Sequence, residues 1–258
     1  MASDAVLDRY LSNPPVVEAV AGIEFRSRGA DLVALVREAD NWRDRYPSVT
    51  AQGALPPSRP YGQPGGEFDM QLIDGPPPLR VWSASSDDVW LVQTQDDRVL
   101  LNWRRIRESV TYPGYEAIRP ELERIVHGVE ADTGADLVPL VVEFSYVNRV
   151  KSDLPGFHNA YETFRKPSQP LPGEVIAERY EITTQLEVDG GIAQLSASIQ
   201  PADVPDYTIL SLSTRVFATR PVGLGAAFEL LDTAHATSKR AFFAIVSDDT
   251  ASQWEESD

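Results

Sequence analysis

The sequence predicts an α+β protein, and three observations lead there. Short runs of alternating apolar and polar residues outnumber helical stripes. The two kinds of segment occur twice in one order: a strand, a helix, a group of antiparallel strands and a longer amphipathic helix. At 258 residues and 42% hydrophobic, the chain can bury the core of one large domain or two fused small ones.

The first pass begins after an arm at residues 1–13. Pro14-Pro15 imposes an extended entry into a first strand, Val16–Phe25. A helix follows over 30–45, where Leu32, Leu35, Val36, Ala39 and Trp42 recur at three and four and Pro47 marks the end. Residues 53–78, dense in proline and glycine, read as a long loop around a short strand candidate at 68–73. Strands are then expected at Leu79–Ala84, 89–94 and Arg98–Arg104, joined by short polar links that suit hairpins. Pro113-Gly114 precedes a helix over 115–131 with Ile118, Leu122, Ile125, Val126 and Val129 on one face, and Gly134 closes the pass.

The second pass opens with a strand at 137–147, which alternation splits into Phe144 and Tyr146 on one side and Glu143 and Ser145 on the other. A helix at 154–164 and a proline-rich break at 167–172 come next. Three longer strands are expected at 175–188, 192–200 and 207–219, the first two linked by the turn Asp189-Gly190-Gly191. A last helix over 223–246 carries Leu224, Ala227, Phe228, Leu231, Phe242 and Ile245 on its buried stripe. The tail, 247–258, is acidic and expected to be solvated apart from Trp254. The chain thus divides into the arm, a first repeat at 14–133, a second at 134–246 and the tail. Two such repeats would assemble as one curved sheet with the long helices on one face, resembling TATA-binding protein at the level of fold only.

A net charge of −16 opposes a broad nucleic-acid surface, and neither half is basic: 14 basic and 21 acidic residues precede Gly134, 9 and 18 follow. The absence of cysteine removes disulfides, thiolate metal sites and cysteine nucleophiles. With no apolar run long enough to cross a bilayer and no basic leader, the expectation is a cytoplasmic protein with no membrane partner.

Candidate chemistry is sparse. Gly223-Leu224-Gly225 opens a helix after a strand, but Phe228 is too large for the third glycine-like position of a dinucleotide-binding turn. His127, His158 and His235 lie far apart. His158 and Glu162 sit one helical turn apart, but no His-Glu-x-x-His pattern supports a metal, and His235 reads as a hydrogen-bonded core histidine. No nucleophile elbow or phosphate loop occurs. The expectation is therefore no catalytic residues, no metal and no cofactor. The one concentrated basic patch is Asn102-Trp103-Arg104-Arg105-Ile106-Arg107. Asn102, Trp103, Arg104, Arg105 and Arg107 form the candidate binding site, since arginine beside tryptophan can stack on a base or grip a carboxylate or phosphate. The competing reading pairs these arginines with Asp96, Asp97 and Glu108.

Several segments resemble a sporadically distributed bacterial family without an assigned activity. They are Pro14-Pro15-Val16-Val17-Glu18-Ala19-Val20 with Glu24-Phe25, Asp97 to Arg104 with Tyr112-Pro113, Tyr146-Val147-Asn148-Arg149, and Leu230 to His235 with Ala241-Phe242 and Trp254. The family's patchy distribution implies horizontally moved genes such as defence, immunity or toxin-antitoxin loci. The leading expectation is therefore a non-enzymatic binding or accessory protein that recognises another protein encoded nearby, such as an antitoxin, immunity or defence subunit. Two rivals stand beside it: a nucleic-acid-facing protein using Trp103 to Arg107, and a small-molecule sensor or enzyme with a pocket between the sheets.

Overall fold

Alternation along the central strand decides which way the molecule faces. In the computed structural model, which describes residues 9, 11–62, 79–134, 136–151, 180–246 and 248–254, the elements run β1 (Val16–Phe25), α1 (Leu32–Ala39), β2 (Ser48–Gly53), β3 (Leu79–Ala84), β4 (Trp90–Gln95), β5 (Arg98–Arg104), α2 (Tyr115–Thr133), β6 (Pro139–Lys151), β7 (Tyr180–Val188), β8 (Gly191–Pro201), β9 (Tyr207–Ala218), α3 (Leu224–Ile245) and α4 (Asp248–Ala251). The nine strands form one sheet in the order β2-β3-β4-β5-β1-β6-β9-β8-β7, and every neighbouring pair is antiparallel. The α+β class is confirmed.

β1 sends the small side chains of Ala19 and Ala21 to one face, and its neighbours fill the space above them. The register places Trp103, Ala19, Tyr146 and Leu212 in one row, Leu101, Ala21, Phe144 and Thr214 in the next, and Val99, Ile23, Val142 and Val216 in a third. All twelve are buried. The stripes of α2 (Ile118, Leu122, Ile125, Val126) and α3 (Ala227, Phe228, Leu231, Ala234) join the same core, each large apolar side chain contributing about 1.5–3 kcal/mol by burial.

The opposite face is polar. Asn102 donates to Glu18 at 2.7 Å and accepts from Gln93 at 2.7 Å; Arg98 pairs with Glu24 at 3.1 Å and Arg215 with Glu143 at 2.8 Å. The segment after β2 straps this face. Leu55 exchanges hydrogen bonds with the Gln95 side chain on β4, Pro56 accepts from Arg98 on β5, Ser58 donates to Glu24 on β1, and the Tyr61 amide donates to Gln194 on β8. Burial pushes the Glu24 carboxyl above its usual pKa, against the opposing pull of Ser58 and Arg98.

Three expectations need correction. The first helix is shorter than 30–45: Asp31 caps it by accepting from the Ala34 amide at 2.9 Å, and after Ala39 it tightens into a 3-10 turn, Asp40–Trp42, that buries Trp42. Leu32 and Val36, expected on its buried face, are 39% and 37% exposed. Ser48–Gly53, between that helix and the expected loop, is a strand that among the described residues pairs with β3 alone, at the edge of the sheet. It lacks a buried apolar alternation, the signal by which a strand is read. The tail is not simply solvated, because Thr250 and Ala251 of α4 are buried and a 3-10 turn, Ser252–Trp254, follows. At the other terminus, Asn13 donates its amide and Ser12 its hydroxyl to the Trp254 carbonyl. The candidate strand at 68–73, the helix at 154–164 with His158 and Glu162, the break at 167–172 and residues 175–179 of the seventh strand lie outside the described residues. No helix among the described residues is long and apolar enough to cross a membrane.

Candidate functional site

The strand period divides the candidate patch. Trp103 points into the helix-covered core, 1% exposed and edge-on to Tyr112 at 5.3 Å. Asn102 points to the polar face and is consumed by Glu18 and Gln93. The arginines do not take Asp96, Asp97 or Glu108: those acids engage Arg28, Arg98 and Arg149 respectively. Arg104 instead donates to the Asp88 carbonyl at 2.8 Å and Arg105 to the Pro14 carbonyl at 3.0 Å, while Arg107 is exposed. The five residues are thus not brought to one surface.

A cavity of about 210 Å³ lies elsewhere, between β6, the start of α2, the second half of α3 and the chain entering β1. Tyr112, Tyr115, Tyr146, Asn148, His235 and Phe242 are among the side chains that line it. Their placement follows from local sequence. Tyr146 and Asn148 share the core face of β6 by alternation, and His235, Lys239 and Phe242 share one side of α3 at spacings of four and three. Gly114 turns the chain into α2 at φ +83°, a conformation that strains any residue with a Cβ, and so sets Tyr112 and Tyr115 on either side of the bend.

His235 lies flat on Tyr115, ring centres 3.9 Å apart and planes 8° from parallel, with Phe144 edge-on at 5.0 Å. Tyr115 is itself held by its hydroxyl, which donates to Asp232 at 2.6 Å; Arg119 donates to the same carboxylate oxygen at 3.2 Å. Burial, then the nearby Lys239, brings the His235 pKa down to about 4 against the weaker opposing pull of Asp232, so the imidazole is neutral at neutral pH. The expected hydrogen-bonded core histidine is instead a stacked one, whose ring nitrogens have no hydrogen-bond partner among the described residues. His127 sits on the outer surface of α2, 3.2 Å from Glu130. Beside His235 the Tyr112 and Tyr146 hydroxyls meet at 3.2 Å. Burial raises the pKa of all three tyrosines, so they stay protonated. The lining therefore offers neutral donors and acceptors set among rings. Among the described residues no group of three or more His, Asp or Glu is placed to hold a metal ion.

The chain matches no protein-family model and no curated protein. Among solved structures it is similar to the di-domain ARO/CYC StfQ from the steffimycin biosynthetic pathway, at 11% identity and a TM-score of 0.22, over 92% of this chain and 99% of that one. A likeness this slight carries no inference about the cavity.

Tyr112, Tyr115 and Tyr146 were not read as site residues from the sequence. A signal exists for Tyr112 and Tyr146 but not for Tyr115: Pro14, Tyr112, Tyr146, Asn148, His235 and Phe242 all stand in the segments quoted above for a family resemblance. Scattered over more than two hundred residues of chain, they meet around this one cavity.

Proposed function

We propose that the chain is a small-molecule-binding protein whose ligand occupies the cavity between β6, α2 and α3. The observation that carries this reading is His235, held neutral and stacked, facing a concave, ring-lined space beside the paired hydroxyls of Tyr112 and Tyr146. Ligand sites take this form, mostly apolar with a few convergent polar groups. Since a cavity of about 150 Å³ holds benzene, this one suits a ligand of one substituted ring or two small fused rings. Ligand-observed NMR with a fragment panel tests it. Binders are expected, weakened about tenfold by His235→Phe, which keeps the packing and removes the polar edge. The absence of any binder, or binders indifferent to both His235→Phe and Tyr146→Phe, would overturn the reading.

A second reading, the accessory protein that recognises a protein encoded nearby in a conflict locus, is favoured by α1. Its outer side exposes Leu32, Val33 (64%) and Val36 together. Co-purification with the neighbouring gene product, abolished by Val33→Asp, would support it. A nucleic-acid-facing role through the Trp103 to Arg107 stretch gains less, because the Trp103 ring lies in the core and the Arg104 guanidinium donates to the Asp88 carbonyl.

We also infer that the sheet arose by duplication into a saddle of the TATA-binding-protein kind. Outward from the central β1–β6 pair the order reads β5, β4, β3, β2 on one side and β9, β8, β7 on the other. The strands nearest the centre are thus the first and last of each pass, and the last of each, β5 and β9, leads into a long helix. Superposing β1, β5, β4, β3 and α2 on β6, β9, β8, β7 and α3 tests this; helices on opposite faces after superposition would exclude it.

A further inference from the structure

A second concave site opens where three neighbouring strands end. The chain beyond β5 delivers Arg105, the end of β6 delivers Arg149 and Lys151, and the start of β1 runs between them: the Arg105 amide donates to the Val17 carbonyl and the Arg149 amide to the Pro15 carbonyl. These side chains line a groove of about 470 Å³ walled by Tyr207 and Trp254. Tyr207 is the β9 partner of Lys151 in the ladder, and its ring lies 5.4 Å from the Arg149 guanidinium. Trp254 is fixed by the bonds its carbonyl accepts from Ser12 and Asn13, and packs against Phe242.

The charge here runs against the rest of the molecule. Among the described residues, a chain of net charge −16 gathers three cations at this spot with one carboxylate, Glu108, which pairs with Arg149 and whose side chain is 80% exposed. Burial lowers the Arg105 pKa, against the pull of Glu108 and with a smaller push from Arg149. The buried Arg105 Nε also has no hydrogen-bond partner among the described residues. An exposed ion pair contributes little, so an incoming anion can take the place of Glu108. Guanidinium forks and a lysine suit phosphate oxygens, and the two aromatic walls suit a planar base. The surrounding acidity favours a ligand with a few charges over a long polyanion, whose remaining phosphates would meet repulsion.

We propose that this groove binds a nucleoside phosphate, its phosphate on Arg105, Arg149 and Lys151 and its base against Tyr207 and Trp254. Titration calorimetry of the full chain with ATP, adenosine, inorganic phosphate and a thymidine oligonucleotide tests it. ATP is expected to bind about tenfold or more tightly than adenosine or phosphate, and to weaken about tenfold between about 50 and about 200 mM salt. Arg149→Glu with Lys151→Glu should abolish binding, and Tyr207→Leu should weaken ATP but not phosphate. Glu108→Gln, which removes the competing carboxylate, should tighten ATP about threefold and decides the matter should the double variant fail to fold. Adenosine or phosphate equal to ATP, an oligonucleotide that binds more tightly than ATP, or ATP binding unchanged in Glu108→Gln would each overturn the proposal.

Discussion

At the scale of the residue, His235 shows how packing sets chemistry. Its pKa near 4 in the folded protein, against 6.5 ordinarily, arises first from burial and then from Lys239. Between those values the unfolded chain takes up a proton that the folded protein refuses, so stability rises with pH across the window and is lost on acidification. The loss amounts to about 2 kcal/mol by about pH 5. Glu24 and Glu38 act in the opposite sense, because burial raises their pKa values and favours the folded state at the acid end. The contribution of His235 must therefore be read as a difference: urea unfolding at about pH 7 and about pH 5 should show a smaller acid loss in His235→Phe by about 2 kcal/mol. Identical losses in the two proteins would remove the buried neutral imidazole. A second residue is set by contact rather than charge. Gly191 opens β8 where a Cβ would stand 2.6 Å from the Phe217 carbonyl oxygen on β9, backbone that cannot give way without breaking the β8–β9 ladder. Gly191→Ala should cost about 2 kcal/mol or more in chemical denaturation, a loss that Gly225→Ala, at an open helical position, should not show.

At the scale of the element, α2 is locked to the end of the first helical segment by one carboxylate. Glu121 accepts from the Tyr46 hydroxyl at 2.7 Å, Arg45 at 2.5 Å and Arg124 at 2.8 Å. Burial alone would raise its pKa, but Arg124, Tyr46 and Arg45 together hold it below the usual 4.5. The contribution is thus present above the unfolded pKa and fades as pH falls through the folded one. Glu121→Gln should destabilise by about 1–3 kcal/mol at neutral pH and by less near pH 3, measured by urea unfolding. Nothing in the sequence marks this lock, because its members stand 75 residues apart. The elements themselves were far more legible. β3 and β5 begin and end at the expected residues, since alternation and short polar links bound them on both sides. β2 escaped because an edge strand exposed on both faces shows no period, and the strap at 54–61 escaped because its prolines read as loop whichever surface they cross. The candidate patch was a one-dimensional reading of a two-faced object: Trp103 and its polar neighbours are adjacent in sequence and opposite in space. Arg105 enters the groove beside Tyr207 and Trp254, with partners from β6 and the C-terminal segment that no local window contains.

At the scale of the whole molecule, duplication and unity make different demands. Two repeats read from the sequence suggest two folding units, yet the described structure leaves no seam for them. The β1–β6 ladder runs the length of β1, from Val16 to Phe25, and the rows through Ala19, Ala21 and Ile23 join apolar side chains of both halves into one core. The polar face is stitched as well, by a strap from the first half that reaches Gln194 and Gln185 in the second. Asp232 on α3 receives the Tyr115 hydroxyl and Arg119 of α2, so the long helices are joined too. Separating the halves would expose the centre of the sheet and both sides of the cavity at once, and neither half could keep its core without the other. Unfolding should therefore be one transition, with calorimetric and van't Hoff enthalpies in a ratio of about 1. Destabilising the second half through Gly191→Ala should lower that single melting temperature rather than split the peak. Two resolved transitions, one of them unmoved by the substitution, would show instead that the halves fold as independent domains and that the cavity lies at an interface able to open.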